Sequence, residues 1–196
     1  MRPRKLTQLL IITLLVLATV AVAYSRRSSL PGVLPFTISE PSQPLPVSES
    51  PVAPELARGT WINSDPLTLK GLRGRVVLVD FWTFACYNCR NTLPYLKEWD
   101  ARYREKGLTI IGVHSPELEE ERVLENLRRE TSSLGIRYPV VTDNDYATWR
   151  SYKVEAWPTL FVLDKEGHIR GSHVGEGAYD KTETLIQQLL AEEGKP

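Results

Sequence analysis

Apolar residues in this chain form short continuous runs, and segments of mixed polarity separate one run from the next. The runs RVVLVDFW at 75–82 and LTIIGV at 108–113 are rich in β-branched residues, as is typical of strands buried on both faces of a sheet. Between them, residues 86–106 predict a helix that ends at Gly107, because glycine readily adopts the left-handed conformation that terminates helices. The pattern therefore predicts a strand, a helix and a second strand in succession.

The second half of the chain continues this alternation. A helix is predicted to begin with Ser115 as its cap and Pro116 at its first position, and to stop at Gly135. Asp180 and Glu183 predict a capping box for a final helix. Three further strands are predicted at the runs YPVV, TLFVL and HIRGSHV, residues 138–141, 159–163 and 168–174. This order of elements indicates an α/β fold with one central sheet flanked by helices.

The first 27 residues have the pattern of a membrane segment. After the basic start MRPRK, residues 6–23 contain no charged side chain, and roughly 20 such residues span a bilayer as a transmembrane helix. The triplet Ala21, Val22 and Ala23 resembles a cleavage site, so a removed signal peptide is the alternative. Basic residues are slightly more numerous before the segment than after it, and this bias places the rest of the chain outside the cytoplasm.

Residues 28–53 have the composition of a linker. They are rich in proline and serine, so they cannot bury enough apolar surface to fold, and their prolines favour extended conformations. The predicted organisation is therefore a membrane anchor or signal peptide at 1–27, a Pro-rich linker at 28–53 and a folded domain at 54–196.

Charge is distributed unevenly along the chain. Five of the 24 Lys and Arg residues lie in the first 27 positions, which contain no acidic residue, so 19 basic and 24 acidic side chains remain in the rest. A mildly acidic body without a basic stripe argues against nucleic acid as a partner.

The two cysteines, Cys86 and Cys89, stand at the junction of the predicted first strand and first helix. This C-x-x-C spacing is typical of redox-active pairs, because the helix start favours a thiolate at Cys86 and places Cys89 one turn further on, close enough to form a disulfide. A zinc site would need about four ligands, and His168 and His173 lie far away in sequence, so we predict no metal. An inert structural disulfide is a further alternative, although so short a loop would stabilise the fold little.

Other positions extend the pattern around the cysteines. Asp80 lies six residues before Cys86, Pro94 lies five after Cys89, and the motif Trp157-Pro158-Thr159 follows later in the chain. The motifs GVHSPE and GEGAYD are found at residues 112–117 and 175–180. With these features the chain resembles thioredoxin-fold proteins of the TlpA-like group, and the resemblance implies that Pro158 is the cis-proline that faces the redox disulfide. GVHSPE and GEGAYD resemble a narrower subgroup, so the chain is most similar to the thioredoxin-like modules of DipZ-type and NHL-repeat proteins.

The resemblance implies a mixed central sheet and thiol–disulfide exchange without a cofactor. Cys86 would be the nucleophile and Cys89 the resolving thiol, and together they would form the redox-active disulfide. Asp80 interrupts an apolar strand, so we expect it to be buried, to have a raised pKa and to accept the proton of Cys89; an ordinary acid at a strand end is the alternative.

Substrate contacts are expected from Pro158, Trp157 and Tyr87, with an ordinary loop proline as the alternative for Pro158. Trp82 and Phe84 could join this apolar rim or pack in the core. His114, at the end of the second strand, could influence the cysteine pair or only make a local contact at the next helix start.

We therefore expect a membrane-tethered thiol–disulfide oxidoreductase on the extracytoplasmic (periplasmic) side. Its substrates would be the thiols and disulfides of proteins, on which we expect it to act as a reductant. A membrane electron donor of the DsbD or CcdA type would in turn reduce it. The T-x-x-C pattern of Thr83 and Cys86 suggests a peroxiredoxin-like peroxidase as an alternative, but Val79 stands where such proteins have proline. A non-enzymatic copper-carrying module would combine two thiols with a histidine, usually with a wider cysteine spacing.

Overall fold

The computed structural model describes residue 46 and residues 50–193 of the chain. In chain order, its strands and α-helices are β1 (Trp61–Ile62), β2 (Val76–Trp82), α1 (Tyr87–Tyr103), β3 (Leu108–His114), α2 (Leu124–Ser133), β4 (Val140–Thr142), α3 (Ala147–Ser151), β5 (Thr159–Leu163), β6 (Ile169–Val174) and α4 (Tyr179–Ala191). Short 3₁₀ helices are found at Lys70–Leu72, Arg104–Lys106 and Glu119–Arg122.

The strands form one mixed sheet in the order β1-β4-β3-β2-β5-β6. β2 is parallel to β3, and β3 is parallel to β4, whereas β5 is antiparallel to both β2 and β6. The register places Asp80 of β2 between Gly112 of β3 and Leu160 of β5. The predicted α/β architecture with a central mixed sheet is confirmed.

Every residue of β2 is buried, because helices or loops cover both faces of the sheet. Val76, Leu78 and Trp82 face a core that includes residues of α1, α2 and α4. The alternate residues Val77, Val79 and Phe81 face a second core that includes the segment after α3. Burying each such side chain stabilises the fold by about 1.5–3 kcal/mol, so β2 is a rigid base for the residues that follow it.

The first predicted helix is confirmed, and its limits are close to the expected ones. α1 begins directly after Cys86, contains Pro94, and continues as a 3₁₀ turn to Lys106. Gly107 ends it with φ +107°, in the left-handed region that glycine adopts without strain.

The predicted helix start at Ser115 and Pro116 is wrong. Ser115 is buried, and its Oγ donates to Asp143 Oδ2 at 3.2 Å, so this hydroxyl does not cap a helix. The chain instead forms the 3₁₀ turn at Glu119–Arg122 before α2 begins at Leu124. The predicted end of α2 is confirmed, since Gly135 has φ +66° directly after its cap.

The predicted capping box of the last helix is also wrong. α4 begins at Tyr179, one residue before Asp180, and its cap is Ala178, which makes no side-chain capping bond. Glu183 points elsewhere and accepts hydrogen bonds from Arg102 Nη1 at 2.6 Å and Tyr103 Oη at 2.5 Å. Glu183, which the sequence pattern assigned to the capping box with Asp180, instead joins α4 to α1.

The segment just before residue 54 contacts the folded domain. Ala53 N donates to Gly167 O at 2.9 Å, Ile169 N donates to Pro51 O at 2.9 Å, and Val52 pairs with His168. Within the described part of the chain, no helix combines the length and apolarity needed to cross a bilayer. The segment 6–23, where we expect a membrane anchor, lies outside the described residues.

Candidate active site

The two cysteines occupy the start of α1, where the chain leaves the centre of the sheet. Cys86 is the cap of the helix, and its Sγ accepts a hydrogen bond from the backbone N–H of Cys89 at 3.2 Å. Cys86 is half-buried, whereas Cys89 is only 1% exposed. Both are free thiols. The arrangement therefore offers one sulfur to an incoming molecule and keeps the other inside the core.

The thiol of Cys89 is held in its neutral form. Burial raises its pKa well above the ordinary value, and its hydrogen bond with Cys86 and the nearby carboxyl of Asp80 raise it further. A backbone hydrogen bond from Thr83 acts in the opposite direction and favours the thiolate. Cys89 can react only after a base has taken its proton.

Asp80 lies in β2 on the face toward α1, two residues before Trp82 in the strand. It is 1% exposed, and neither carboxyl oxygen has a hydrogen-bond partner. This burial raises the pKa of Asp80 from 3.8 to about 8. A carboxyl with such a pKa can hold or accept a proton near neutral pH.

The loop before β5 lies beside the same end of β2. The Trp157–Pro158 peptide is cis, and Thr159, the next residue, pairs with Phe81 near the end of β2. Two hydrogen bonds fix the loop: Trp157 Nε1 donates to Ser115 O at 3.0 Å, and Gly175 N donates to Pro158 O at 2.7 Å. The sheet register thus brings Trp157 and Pro158 to the edge from which the cysteine loop departs.

The aromatic residues near the cysteines divide into exposed and buried groups. Tyr87 is 76% exposed, so it is available to a partner molecule. Trp82 is completely buried in the core, and it is therefore not part of a surface rim. Phe84 is half-buried and stacks on His114, with ring centroids 5.5 Å apart.

A buried polar cluster behind the cysteine loop was not predicted from the sequence. Thr83 Oγ1 lies 3.3 Å from His114 Nε2 and donates to Glu121 Oε1. All three residues are buried. The position of His114 at a strand end indicated a possible influence on the cysteine pair. Glu121, in contrast, lies among other acidic residues in the run ELEEER, and nothing in the sequence pattern distinguishes it from them.

The two histidines considered as metal ligands lie toward opposite ends of the β5–β6 hairpin. His168 contacts Asp164 at 3.4 Å next to the turn, whereas His173 pairs with Leu160 further along. Among the residues that the structure describes, no group of three or more His, Cys, Asp or Glu side chains is placed to hold a metal ion.

Curated proteins with related sequences match the described domain. The chain is 44% identical over 142 residues to Protein DipZ from Mycobacterium bovis, covering 70% of this chain and 20% of that protein. It is 42% identical to NHL repeat-containing protein 2 from Gallus gallus, covering 65% of this chain and 18% of that protein. The chain thus spans about a fifth of the length of these relatives.

Relatives of similar size are thiol–disulfide oxidoreductases. YkuV from Bacillus subtilis, which bears that name, is 25% identical over 140 residues, covering 71% of this chain and 94% of its own. A solved structure titled thioredoxin-like superfamily protein SPOA0173 superposes with a TM-score of 0.70 at 27% identity, covering 74% of this chain and all of the other. The thioredoxin-like fold expected from the sequence is confirmed.

The family comparison covers most of the same domain. The AhpC/TSA family matches residues 52–172, a range that includes both cysteines, Asp80 and the Trp157–Pro158 loop and that makes up more than half of the chain. The chain therefore belongs to the AhpC/TSA family and has the thioredoxin-like fold.

Proposed function

We propose that this protein is a thiol–disulfide oxidoreductase that uses Cys86 and Cys89 as a redox dithiol. The observation that carries this proposal is the contrast between the two sulfurs, one half-buried at a helix start and the other enclosed beneath it. A nucleophile must reach its substrate, and a resolving thiol needs only to reach the nucleophile. The names of the relatives of similar size support the same activity.

The reaction proceeds in two exchanges. The Cys86 thiolate attacks one sulfur of a substrate disulfide, forms a mixed disulfide and releases the other substrate sulfur as a thiolate. Cys89, after giving its proton to Asp80, attacks Cys86 Sγ and releases the second substrate thiolate. The substrate disulfide thereby gains two electrons, and the Cys86–Cys89 pair loses two electrons and becomes a disulfide.

The substrates are protein disulfides, presented to the surface formed by Tyr87, Trp157 and Pro158. Tyr87 is exposed directly after the nucleophile, and the Trp157–Pro158 loop lies at the same end of β2. Aromatic side chains bury a large apolar area at contact surfaces, so this surface suits partly folded chains whose apolar residues are accessible.

The protein acts outside the cytoplasm, tethered to the membrane. This part of the proposal depends on the uncharged segment 6–23, the basic residues before it and the Pro-rich linker 28–53. A single hydrophobic segment cannot carry electrons across a bilayer, so a membrane electron donor of the DsbD or CcdA type regenerates the dithiol. The inferred organisation is an anchor at 1–27, a linker at 28–53 whose last residues pair with the domain, and the catalytic domain at 54–196.

We expect iodoacetamide to alkylate Cys86 before Cys89 in the reduced full-length chain. Cys89 is enclosed and its pKa is raised by burial, so its thiolate is both scarce and shielded. The rate ratio should be roughly tenfold or more, as measured by peptide mass spectrometry after short labelling times. Faster labelling of Cys89 would reverse the assigned roles.

We expect the reduction potential to lie nearer that of thioredoxin, about −270 mV, than that of DsbA, about −120 mV. Strong oxidants stabilise the thiolate of their first cysteine with charge, but the residues between these cysteines, Tyr87 and Asn88, carry none at neutral pH. The adjacent cation, Arg90, lies 3.5 Å from Glu130, which offsets its charge. A low potential favours the reductant direction.

An equilibrium titration measures this potential. The full-length chain is equilibrated with glutathione buffers, and the fraction reduced is followed by Trp fluorescence or by alkylation. The interval between the two reference potentials, about 150 mV, corresponds to roughly 7 kcal/mol for two electrons, so the result is decisive. A midpoint above about −180 mV, the value of protein disulfide isomerase, would make the protein a disulfide donor or isomerase.

A further inference from the structure

We propose that Glu121 is a positioning residue for the Cys86–Cys89 pair, and that it acts through Thr83 and Ala85 on the loop that carries the nucleophile. The inference rests on the dithiol chemistry proposed above and adds a residue from outside the C-x-x-C segment to it.

The carboxylate of Glu121 joins two chain segments in the interior. Oε1 accepts hydrogen bonds from Thr83 Oγ1 and from Ala85 N, the latter at 2.9 Å. Oε2 accepts from the backbone N–H groups of Glu117 at 2.7 Å and Leu118 at 2.9 Å. Glu121 is 1% exposed. An enclosed carboxylate is stable only when hydrogen bonds replace its water, and four donors do so here.

The charge state of Glu121 follows from these contacts. Burial alone would raise the pKa of its carboxyl, but the hydrogen bonds from Thr83 and the three backbone amides together lower it. Glu121 therefore remains an acceptor at neutral pH. A fixed acceptor of this kind holds the loop more firmly than a group that gains and loses a proton.

Thr83 connects this carboxylate to both cysteines. Its carbonyl accepts from Cys86 N at 3.4 Å, and its backbone also hydrogen-bonds to the thiol of Cys89. Because its hydroxyl donates a hydrogen bond to Glu121, the 3.3 Å contact with His114 Nε2 requires the histidine to be the donor. Burial lowers the pKa of His114 to about 4, so the ring is neutral at neutral pH. Glu121 thus fixes the residue that hydrogen-bonds to the backbone of Cys86 and to the thiol of Cys89.

The neighbouring acids provide a contrast within one short segment. Glu119 and Glu120 precede Glu121 in the same 3₁₀ turn but are exposed. The carboxylate of Glu119 lies 3.2 Å from Arg122 Nε at the surface. Of these consecutive acids, the structure directs Glu121 inward to the cysteine loop.

The test compares Glu121→Gln with the matched control Glu120→Gln in the full-length chain, using insulin disulfides as substrate. Glutamine keeps the size of the side chain, but its NH₂ group cannot accept from the amides that face it. We expect kcat to fall roughly 10- to 100-fold in Glu121→Gln, as when a reacting group is misplaced, with KM changed by less than about twofold. Glu120→Gln should match the wild type in both.

A second pair of variants keeps the inference testable if Glu121→Gln does not fold. Thr83→Ser retains the hydroxyl that donates to Glu121, whereas Thr83→Val removes it and keeps the shape. We expect Thr83→Val to reduce kcat by roughly tenfold or more and Thr83→Ser to stay within about twofold of the wild type. A contact that only stabilised the fold would lower the melting temperature without this difference in kcat.

The outcomes separate the two proposals. A folded Glu121→Gln variant with wild-type kcat, or equal kcat in Thr83→Val and Thr83→Ser, would overturn the role of Glu121 and leave the dithiol chemistry intact. A wild-type chain that does not reduce insulin would overturn the proposed function and, with it, this inference.

Discussion

Cys86→Ser is expected to abolish disulfide reduction, with a loss of about a thousandfold or more in kcat/KM. A serine hydroxyl is a poor nucleophile unless an adjacent base activates it, and no His, Lys or carboxylate hydrogen-bonds to Cys86 within the described residues. Fold stability should change little, because Cys86 is a half-buried cap and serine is itself a good helix cap. Insulin reduction with glutathione as the electron source measures the loss.

Cys89→Ser is the informative counterpart, because it should lose turnover but keep the first exchange. Without a resolving thiol, the mixed disulfide between Cys86 and the substrate persists. Expressed in intact cells, this variant should yield adducts that disappear on reduction, and mass spectrometry of these adducts identifies the partners. Cys86→Ser serves as the control and should form none. Adducts formed equally by both variants would contradict the assignment of Cys86 as nucleophile.

Much of the fold could be predicted because its central elements depend on local signals. The run at 75–82 became β2, buried on both faces, and a single glycine, Gly107, fixed the end of the first helix. The C-x-x-C spacing at a strand–helix junction also set the geometry of the cysteines, since a helix cap and a residue three positions later are necessarily close. These features need no information from distant parts of the chain.

The predicted helix starts were wrong where a polar side chain forms a hydrogen bond with a residue distant in sequence. Ser115 has the sequence context of a helix cap, but its hydroxyl donates a hydrogen bond to Asp143, which follows α2 in the chain. Glu183 has the spacing of a capping box, but it binds Arg102 and Tyr103 of α1. A local sequence pattern shows only which nearby backbone groups a polar side chain could hydrogen-bond to. A tertiary hydrogen bond of similar strength can replace such a capping bond.

The same limit explains why Glu121 could not be identified from the sequence. Its partners Thr83 and Ala85 are 38 and 36 residues away, and they meet it only because β2 and β3 are parallel neighbours whose carboxyl ends lie at one edge. Asp80, in contrast, was conspicuous from its position alone, because a carboxyl in the middle of a buried strand is costly.

Asp80→Asn is expected to stabilise the fold above neutral pH and to flatten its pH dependence. In the unfolded chain this carboxyl ionises near its ordinary pKa of 3.8, whereas burial raises its pKa in the folded state to about 8. Below pH 4 both states are protonated, so Asp80 contributes nothing to the pH dependence there. Between pH 4 and 8 the folded state retains a proton that the unfolded state has lost, and stability must therefore fall as pH rises.

The size of this effect follows from the interval between the two pKa values. Each unit corresponds to about 1.4 kcal/mol, so an interval of about four units costs on the order of 5 kcal/mol by pH 8. Asparagine has no ionisable proton and so avoids this cost, although its buried amide carries a smaller desolvation penalty. Urea unfolding of the reduced protein at several pH values between 5 and 8 should show the variant gaining on the wild type as pH rises.

Catalysis should change in the opposite sense, because a neutral amide cannot take the proton of Cys89. Resolution of the mixed disulfide should slow near neutral pH in Asp80→Asn, and the adduct of Cys86 should accumulate during turnover. Asp65→Asn is the matched control, since Asp65 is exposed, and it should leave turnover unchanged and stability within about 0.5 kcal/mol. Unchanged turnover in Asp80→Asn together with lower stability would instead mark Asp80 as a structural acid. A buried proton acceptor that destabilises the folded state must show the gain in stability and the loss in turnover rate together when it is replaced.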